Sequence, residues 1–213
     1  KVLEKGAKIV KETNKEVAAI IGINPAARTT CVKPSGNASV LLQTASGIHA
    51  EHSSLYIRNV QMNKESEITQ AITKTNPYMV EESVWSANGT DVVVSFPIVP
   101  KKGSMYKDDL YGVKHLELVA KAQKHWVIAG TNEELCADKG IRHNVSNTII
   151  VDDWDEVEEY VFKNRYSFSG ISFLSPTGDK DYNQAPNTAV IDEKKMVKEY
   201  GTAAIFASGL VVD

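Results

Sequence analysis

Cysteine is scarce in this sequence, with only Cys31 and Cys136 among 213 residues. Two cysteines cannot form the disulfide framework of a small secreted domain, and no Cys-x-x-Cys pair is present to hold zinc. We therefore expect a protein of the reducing cytoplasm. Cys31 lies near the end of a predicted strand, where a small buried thiol is the expected state.

Long apolar runs and a strong excess of one charge are also absent. The longest apolar run, Ala203 to Val212, is too short to cross a bilayer and contains Ser208 and Gly209. The formal net charge is −3, which argues against a surface that binds nucleic acid. We expect neither a membrane nor a nucleic acid among the partners.

The composition that is present, 42% hydrophobic and 24% charged, is that of an ordinary globular protein with a real core. Apolar residues from Leu3 to Ile21 recur at helical spacing, and Gly22 is a suitable C-cap. Further helices are expected at Lys64–Thr75, from Val113 to Val127, after Asp152 and Asp153 (burying Trp154, Val157 and Val161), and at Glu193–Tyr200.

Runs of β-forming residues separate these helices. Strands are expected at Leu55–Met62, Asp91–Phe96, Asn147–Val151 and Gly170–Leu174. The alternation of strands and helices predicts the α/β class, and without a repeat or a low-complexity linker residues 1–213 are expected to form a single α/β segment.

The most informative stretch runs from Thr29 to His49. It predicts a strand ending at Lys33, a tight turn and a helix from Asn37 to Ser46-Gly47, with Ser35 or Asn37 as the N-cap. Amide groups at such a helix start have no partner within the helix, and this makes them an anion site for which phosphate is the usual ligand. The amides in question are those of Gly36, Asn37, Ala38 and Ser39.

Two familiar phosphate motifs do not account for this turn. It lacks the Gly-Lys-Ser/Thr ending of a Walker loop, and it is not the Gly-x-Gly-x-x-Gly fingerprint. From the residues alone, an ordinary capped helix after a strand is an equally good interpretation.

Other candidate sites have simpler interpretations. The segment from His49 to His52 has two histidines and Glu51, but lacks a third placed ligand for a metal. Cys136 and His143 are separated by a polar segment that gives no reason to pair them as nucleophile and base. The acidic residues around Asp153 complement a helix dipole. We assign no catalytic residue and no metal ligand to this chain.

Several motifs, taken in order, resemble the C-terminal part of the catalytic domain of adenosylcobalamin-dependent (class II) ribonucleotide reductases. The resemblance extends from about Thr29 to Pro186 and carries little signal between Asn63 and Lys139. The matching segments are Thr29–Gly36, Ser46–His49, Tyr56–Arg58, Asn144–Thr148, Gly170–Leu174 and Tyr182–Pro186.

This resemblance implies a specific fold and activity. The family fold is a ten-stranded α/β barrel, of which this chain would be the later half. The family converts ribonucleotides to deoxyribonucleotides by thiyl-radical chemistry with adenosylcobalamin as cofactor and a thioredoxin-like reductant. The turn that begins at Pro34 and the helix start after it hold the substrate phosphates there, and Asn37 stands where the family often has threonine. The resemblance therefore implies that the phosphate-binding residues are Ser35, Gly36, Asn37, Ala38 and Ser39.

The sequence also departs from the family pattern. The thiyl cysteine of the family lies in an Asn-x-Cys-x-Glu motif, and neither Cys31 nor Cys136 has that context. We therefore expect a piece of a longer enzyme that is inactive alone and needs the N-terminal half of the barrel, from the same or a separate chain. A class I large-subunit fragment, a non-catalytic nucleotide-binding fragment that needs a complementing chain, and an unrelated phosphate-binding domain remain alternatives.

Overall fold

The structure is a computed structural model that describes residues 1–176, 182–190, 192, 194 and 198. The predicted helix at Glu193–Tyr200 and the apolar run from Ala203 to Val212 lie, apart from Lys194 and Lys198, outside the described residues. In chain order the described elements are α1 (Val2–Ile21), α2 (Asn37–Leu42), β1 (Tyr56–Asn63), α3 (Glu67–Thr75), β2 (Val80–Glu82), β3 (Asp91–Ile98), α4 (Gly112–Ala122), β4 (Ile149–Ile150), α5 (Trp154–Lys163), β5 (Phe173–Leu174) and β6 (Asn187–Ala189).

The chain divides into two compact units. The helical unit comprises Lys1–Ala50 and Asp108–Pro176, and the sheet unit comprises Glu51–Lys107 and the described residues from Tyr182 onward. None of the described helices is long and apolar enough to span a membrane.

The helical unit is built on short parallel strand pairings. β4 pairs with β5, and Val32 forms a parallel bridge with Val145. Helices α4 and α5 supply apolar side chains that pack against β4, which explains the absence of polar residues from this strand. The buried residues of this core are Leu116, Val119, Ala122, Val127, Val145, Ile149, Val151 and Val157.

Helix α1 confirms its prediction from apolar spacing. It ends at Gly22, which adopts the left-handed conformation with φ 74° and so closes the last turn without a Cβ clash. Ala7 and Ala18 are buried, and at Gly6 a Cβ would come within 3.2 Å of the Trp126 ring. Small residues on one side of α1 therefore allow a close approach to the rest of the unit.

The sheet unit holds an antiparallel sheet in the order β2-β3-β1-β6. β1 and β3 pair along their whole length, from Tyr56 opposite Ile98 to Asn63 opposite Asp91. The prediction that β3 ends at Phe96 is wrong, because Pro97 lies inside the strand opposite Ile57. β2 pairs only with the first half of β3. On the side of β2, Pro97 therefore has no neighbouring strand, and there the N–H that proline lacks costs no ladder hydrogen bond.

The predicted strands of the helical unit are shorter in the structure. The strand expected before Lys33 is reduced to the single bridge at Val32, and β4 and β5 have two residues each. Trp154, expected to be buried by α5, is 52% exposed. The described residues are a mixed α/β fragment and do not close a barrel. Within the helical unit each strand pairs over only one or two residues.

The N-cap of α5 gives a direct test of the local structure. The Asp153 carboxylate accepts a hydrogen bond from the Glu156 N–H at 3.0 Å, so Asp153→Ala is expected to lower the free energy of unfolding by about 1 kcal/mol. Asp155 lies in the same first turn, and Asp155→Ala removes only a dipole interaction worth about 0.3 kcal/mol. Urea denaturation of both variants measures the difference, and equal losses would contradict the cap.

Candidate functional site

The turn from Pro34 to Gly36 leads directly into α2, which begins at Asn37 as predicted. The N-cap residue is Gly36 and no side chain caps the helix, so the prediction of Ser35 or Asn37 as the cap is wrong. The prediction that the helix continues to Ser46-Gly47 is also wrong. It ends at Leu42, because the left-handed Gln43 turns the chain and lets the Thr44 N–H bond to the Ser39 carbonyl.

Two hydrogen bonds hold the Ser35 carbonyl in place. It accepts hydrogen bonds from the hydroxyls of both Ser39 and Ser46, the latter at 2.9 Å. In a trans peptide the C=O and the following N–H point in opposite directions, so the Gly36 N–H points away from both hydroxyls. Gly36 is exposed, and among the described residues none accepts a hydrogen bond from its N–H.

The five predicted phosphate-binding residues are therefore contiguous at this turn but differ in exposure. Gly36 and Ala38 are exposed and Ser35 is half-buried, whereas Ser39 is buried. The Ser39 hydroxyl is bonded to the carbonyls of Ser35 and Gly36. A ligand at the turn would meet main-chain donors first, and the serine side chains shape the backbone beneath them.

A second segment, Ser46 to His49, lies against the turn. Gly47 has φ 62°, and a Cβ there would come within 2.9 Å of the Lys33 carbonyl oxygen, so this close approach requires glycine. The His49 Nδ1 is 3.0 Å from the Ser46 carbonyl oxygen. The His49 Nε2 accepts a hydrogen bond from the Thr148 N–H at 3.1 Å, which joins this segment to the start of β4.

A buried imidazole holds the same segment from the other side. His115 on α4 is 4% exposed, and its Nε2 is 3.0 Å from the Ile48 carbonyl oxygen, to which it donates. Burial lowers the pKa of His115, and the bond to Ile48 opposes that shift only in part. The His115 ring packs edge-on against His49 with centroids 5.8 Å apart.

The other sequence candidates do not assemble into a site. His49 belongs to the helical unit and Glu51 to the sheet unit, and no group of three or more His, Cys, Asp or Glu among the described residues could hold a metal. The Cys136 thiol donates to the Asn132 carbonyl, whereas His143 bonds to the Thr30 carbonyl. Cys31 is exposed, so the expectation of a buried thiol is wrong.

The sheet unit contains a polar cluster that the sequence did not reveal. The Tyr56 hydroxyl donates to the buried Glu51 carboxylate at 3.0 Å, and the Arg58 guanidinium donates to the Tyr56 oxygen at 3.0 Å. Burial raises the pKa of Tyr56 to about 12, so the phenol keeps its proton at neutral pH. Tyr56 and Arg58 belong to one of the motifs noted above, but nothing in the sequence paired them with Glu51.

A cavity of about 540 Å³ in the sheet unit is lined by Trp85 and Tyr182. Its amide side chains already have partners within the protein. Asn59 bonds to the Ala185 carbonyl and Ser95, and Gln184 bonds to the Val84 N–H and the Glu82 carbonyl. Its polar groups are used to hold the loops together, so the turn at Pro34 remains the stronger candidate.

The sequence showed Asn147 only as part of a motif and gave no sign of its structural role. Its side-chain amide donates to the carbonyls of Val145 and Gly170, at 2.7 and 3.1 Å. These two bonds join the segments that lead into β4 and β5. Hydrophobic periodicity carries no signal for them, because one partner is contributed by a distant part of the chain.

Comparison with known proteins finds sequence similarity to two reductases. It is 28% identical over 183 residues to a probable adenosylcobalamin-dependent ribonucleoside-triphosphate reductase of Dictyostelium discoideum, covering 85% of this chain and 22% of that protein. It is 26% identical over 195 residues to the adenosylcobalamin-dependent ribonucleoside-triphosphate reductase of Euglena gracilis, covering 90% and 25%. The chain thus spans about a quarter of the length of these relatives.

A solved structure shows a likeness in fold. A crystal structure of a B12-dependent (class II) ribonucleotide reductase superimposes with a TM-score of 0.70 at 20% identity, over 92% of this chain and 26% of that one. No protein-family model matches the chain. Because the similarity covers nearly the whole chain, it is a likeness of fold and not of one short motif.

Proposed function

The chain is homologous to adenosylcobalamin-dependent class II ribonucleotide reductases over about a quarter of their length, and from this we propose that it is a segment of such an enzyme. Within the whole enzyme, which reduces ribonucleotides to deoxyribonucleotides, the turn from Ser35 to Ser39 holds the phosphates of the substrate. The rest of the barrel and the radical-forming residues belong to the remainder of the enzyme, and a thioredoxin-like reductant is a partner of the complete enzyme.

The observation that carries this proposal is the outward Gly36 N–H. The Ser35 carbonyl is fixed by two hydroxyls, and the next amide therefore points to the exposed side of the turn. At Gly36 a Cβ would meet nothing within 4 Å, so the space above the backbone is open to an oxyanion. Hydrogen bonds from such fixed amides to a charged phosphate are stronger than those between neutral groups.

The contribution of this segment to catalysis is positioning. A phosphate held at fixed main-chain donors places the attached ribose at a defined distance from the reacting groups, which removes an entropic part of the barrier. Adenosylcobalamin supplies the radical chemistry in the whole enzyme. None of the described residues is assigned to that cofactor, and both ring nitrogens of His49 are already bonded within the protein.

Two alternative proposals, a class I large-subunit fragment and a fragment that only binds nucleotides, have less support. The relatives named above are adenosylcobalamin-dependent, which favours class II over a class I large subunit. A fragment that only binds nucleotides would share the same turn. Reconstitution with the remainder of a class II reductase separates these cases, because only a true segment restores cobalamin-dependent reduction.

The proposed site is tested by calorimetric titration of the 213-residue chain with a ribonucleoside triphosphate and with the corresponding nucleoside. We expect binding of the triphosphate and little binding of the nucleoside, since the phosphates supply the recognised charge. Absence of triphosphate binding, or equal affinity for the two compounds, would contradict the proposal.

Ser39→Ala is expected to weaken triphosphate binding only modestly, by about two- to fivefold, because it removes one of two hydroxyl bonds to the Ser35 carbonyl and leaves the amides in place. The same titration measures this loss. Ser169→Ala is the matched control, since its hydroxyl bonds to the His143 carbonyl and not to the turn. A loss as large for Ser169→Ala would show that the effect is not specific to the turn.

A further inference from the structure

We propose that His49 is a positioning residue for the phosphate-holding turn, acting through Ser46 on the Ser35 carbonyl. This inference rests on the proposed function and assigns to His49 no contact with substrate. It follows from a continuous set of hydrogen bonds that runs from Thr148 through His49 and Ser46 to Ser35.

The protonation state of His49 is fixed by its two partners. A carbonyl oxygen can only accept and a backbone N–H can only donate. The Ser46 carbonyl therefore requires a proton on the His49 Nδ1, and the Thr148 N–H requires a bare Nε2. His49 is thus a neutral imidazole in the Nδ1–H form, bonded at both ends.

The position of Ser46 depends on these bonds. Both the main-chain N–H and the Nδ1–H of His49 bond to the Ser46 carbonyl, which fixes the peptide on the C-terminal side of Ser46. Its hydroxyl is then held 2.9 Å from the Ser35 carbonyl oxygen. Gly47 adds a steric constraint, because its backbone packs on the Lys33 carbonyl.

The far end of the set is anchored in the core. Thr148 directly precedes β4, and the next residue, Ile149, is fully buried. His115 fixes the intervening Ile48 from α4 through a bond of 3.0 Å. These bonds therefore connect the surface turn to β4. Among the described residues, His49 is the only side chain that bonds to both Ser46 and Thr148.

Loss of His49 should misalign the turn without removing any donor from it. With Ser46 less constrained, the Ser35 carbonyl keeps only the Ser39 hydroxyl as a fixed partner, and the Gly36 N–H samples directions away from a bound phosphate. The expected consequence is weaker triphosphate binding in a chain that is still folded.

Three variants separate positioning from packing. Asn places an N–H near the Nδ1 position and so keeps the bond to Ser46, Gln places an oxygen near the Nε2 position and keeps the bond to Thr148, and Phe keeps only the ring. We expect His49→Phe and His49→Gln to weaken triphosphate binding by about three- to tenfold and His49→Asn to restore most of it. His125→Phe is the control, since the His125 ring bonds to Glu4 and not to the turn.

The readouts are calorimetric affinity for the triphosphate and the nitrogen-15 shifts of the His49 ring, which report the Nδ1–H form directly. Equal affinity of all three variants and wild type, with binding still lost in Gly36→Val, would overturn the role of His49 and leave the phosphate site intact. Equal weakening of the Asn, Gln and Phe variants would also overturn it, because packing alone would then explain the loss. Absence of triphosphate binding by wild type would overturn the phosphate site and this inference together. If His49→Phe does not fold, the comparison of Asn with Gln decides.

Discussion

Gly36→Val is expected to reduce the affinity of the chain for a ribonucleoside triphosphate by at least about 100-fold, well beyond the loss expected for Ser39→Ala or for any His49 variant. A branched side chain at this position would occupy the open space above the turn, where the phosphate approaches the main-chain donors. Two or more charge-assisted hydrogen bonds would then be lost together.

The fold itself should tolerate the change. The Gly36 backbone has φ −72°, which any residue adopts, and a Cβ there meets no atom within 4 Å. The expected loss of stability is below about 1 kcal/mol, from the poor N-cap preference of valine. Binding and stability are therefore separable at this position, which is uncommon for a glycine in a tight turn.

Calorimetric titration and urea denaturation of the same preparations provide the test. Gly36→Ala is the matched control, because its single methyl group should weaken binding less than valine at a similar stability. If Gly36→Val binds the triphosphate as tightly as wild type does, main-chain donors at this turn do not hold the phosphates.

Gly130→Ala is expected to destabilise the chain by about 3 kcal/mol, the largest expected effect on folding. A Cβ at Gly130 would lie 2.8 Å from the Thr30 Cβ, and closer still to the other two side-chain atoms of Thr30. Thr30 is 3% exposed and its hydroxyl is bonded to the Trp126 carbonyl at 2.7 Å. Thr30 cannot move away without breaking this bond, and the Gly130 N–H is itself bonded to the Trp126 carbonyl.

A double-mutant cycle tests whether Thr30 is the cause. Thr30→Ala removes the two nearest atoms, so the double variant Thr30→Ala/Gly130→Ala should be more stable than the sum of the single losses predicts, by at least about 1 kcal/mol. Additive losses in urea denaturation would contradict this explanation. Gly170→Ala is the control, since its Cβ would meet Asn144 only at ordinary contact distances of 3.6 Å and more.

Local patterns predicted the elements that have strong local signals. The helical spacing of apolar residues and Gly22 predicted α1 with its end, and β-forming runs predicted β1 and β3. The short strands of the helical unit were overestimated. A run such as Asn147–Val151 indicates burial, but hydrogen bonds from a neighbouring strand decide how many of its residues pair.

The sequence predicted where the candidate site lies but not which hydrogen bonds hold its backbone in place. Pro34, Gly36 and the helix start at Asn37 follow from turn chemistry, and their order relative to the later motifs carried the resemblance to reductases. The predicted capping serine instead bonds through its main-chain carbonyl to two hydroxyls. Local propensity cannot distinguish a serine whose hydroxyl caps a helix from a serine whose main-chain carbonyl is bonded to other hydroxyls, because both arrangements use the same residue types.

By itself the sequence determined where α2 begins and which small residues form the turn before it, because backbone sterics act between neighbours. Only the tertiary structure decided which way the Gly36 amide points. That direction depends on the hydroxyl of Ser46. His49 bonds to the Ser46 carbonyl and also to Thr148, a residue 99 positions away. Residues this far apart in the sequence come into contact only when the core around β4 packs, and no local sequence pattern relates them.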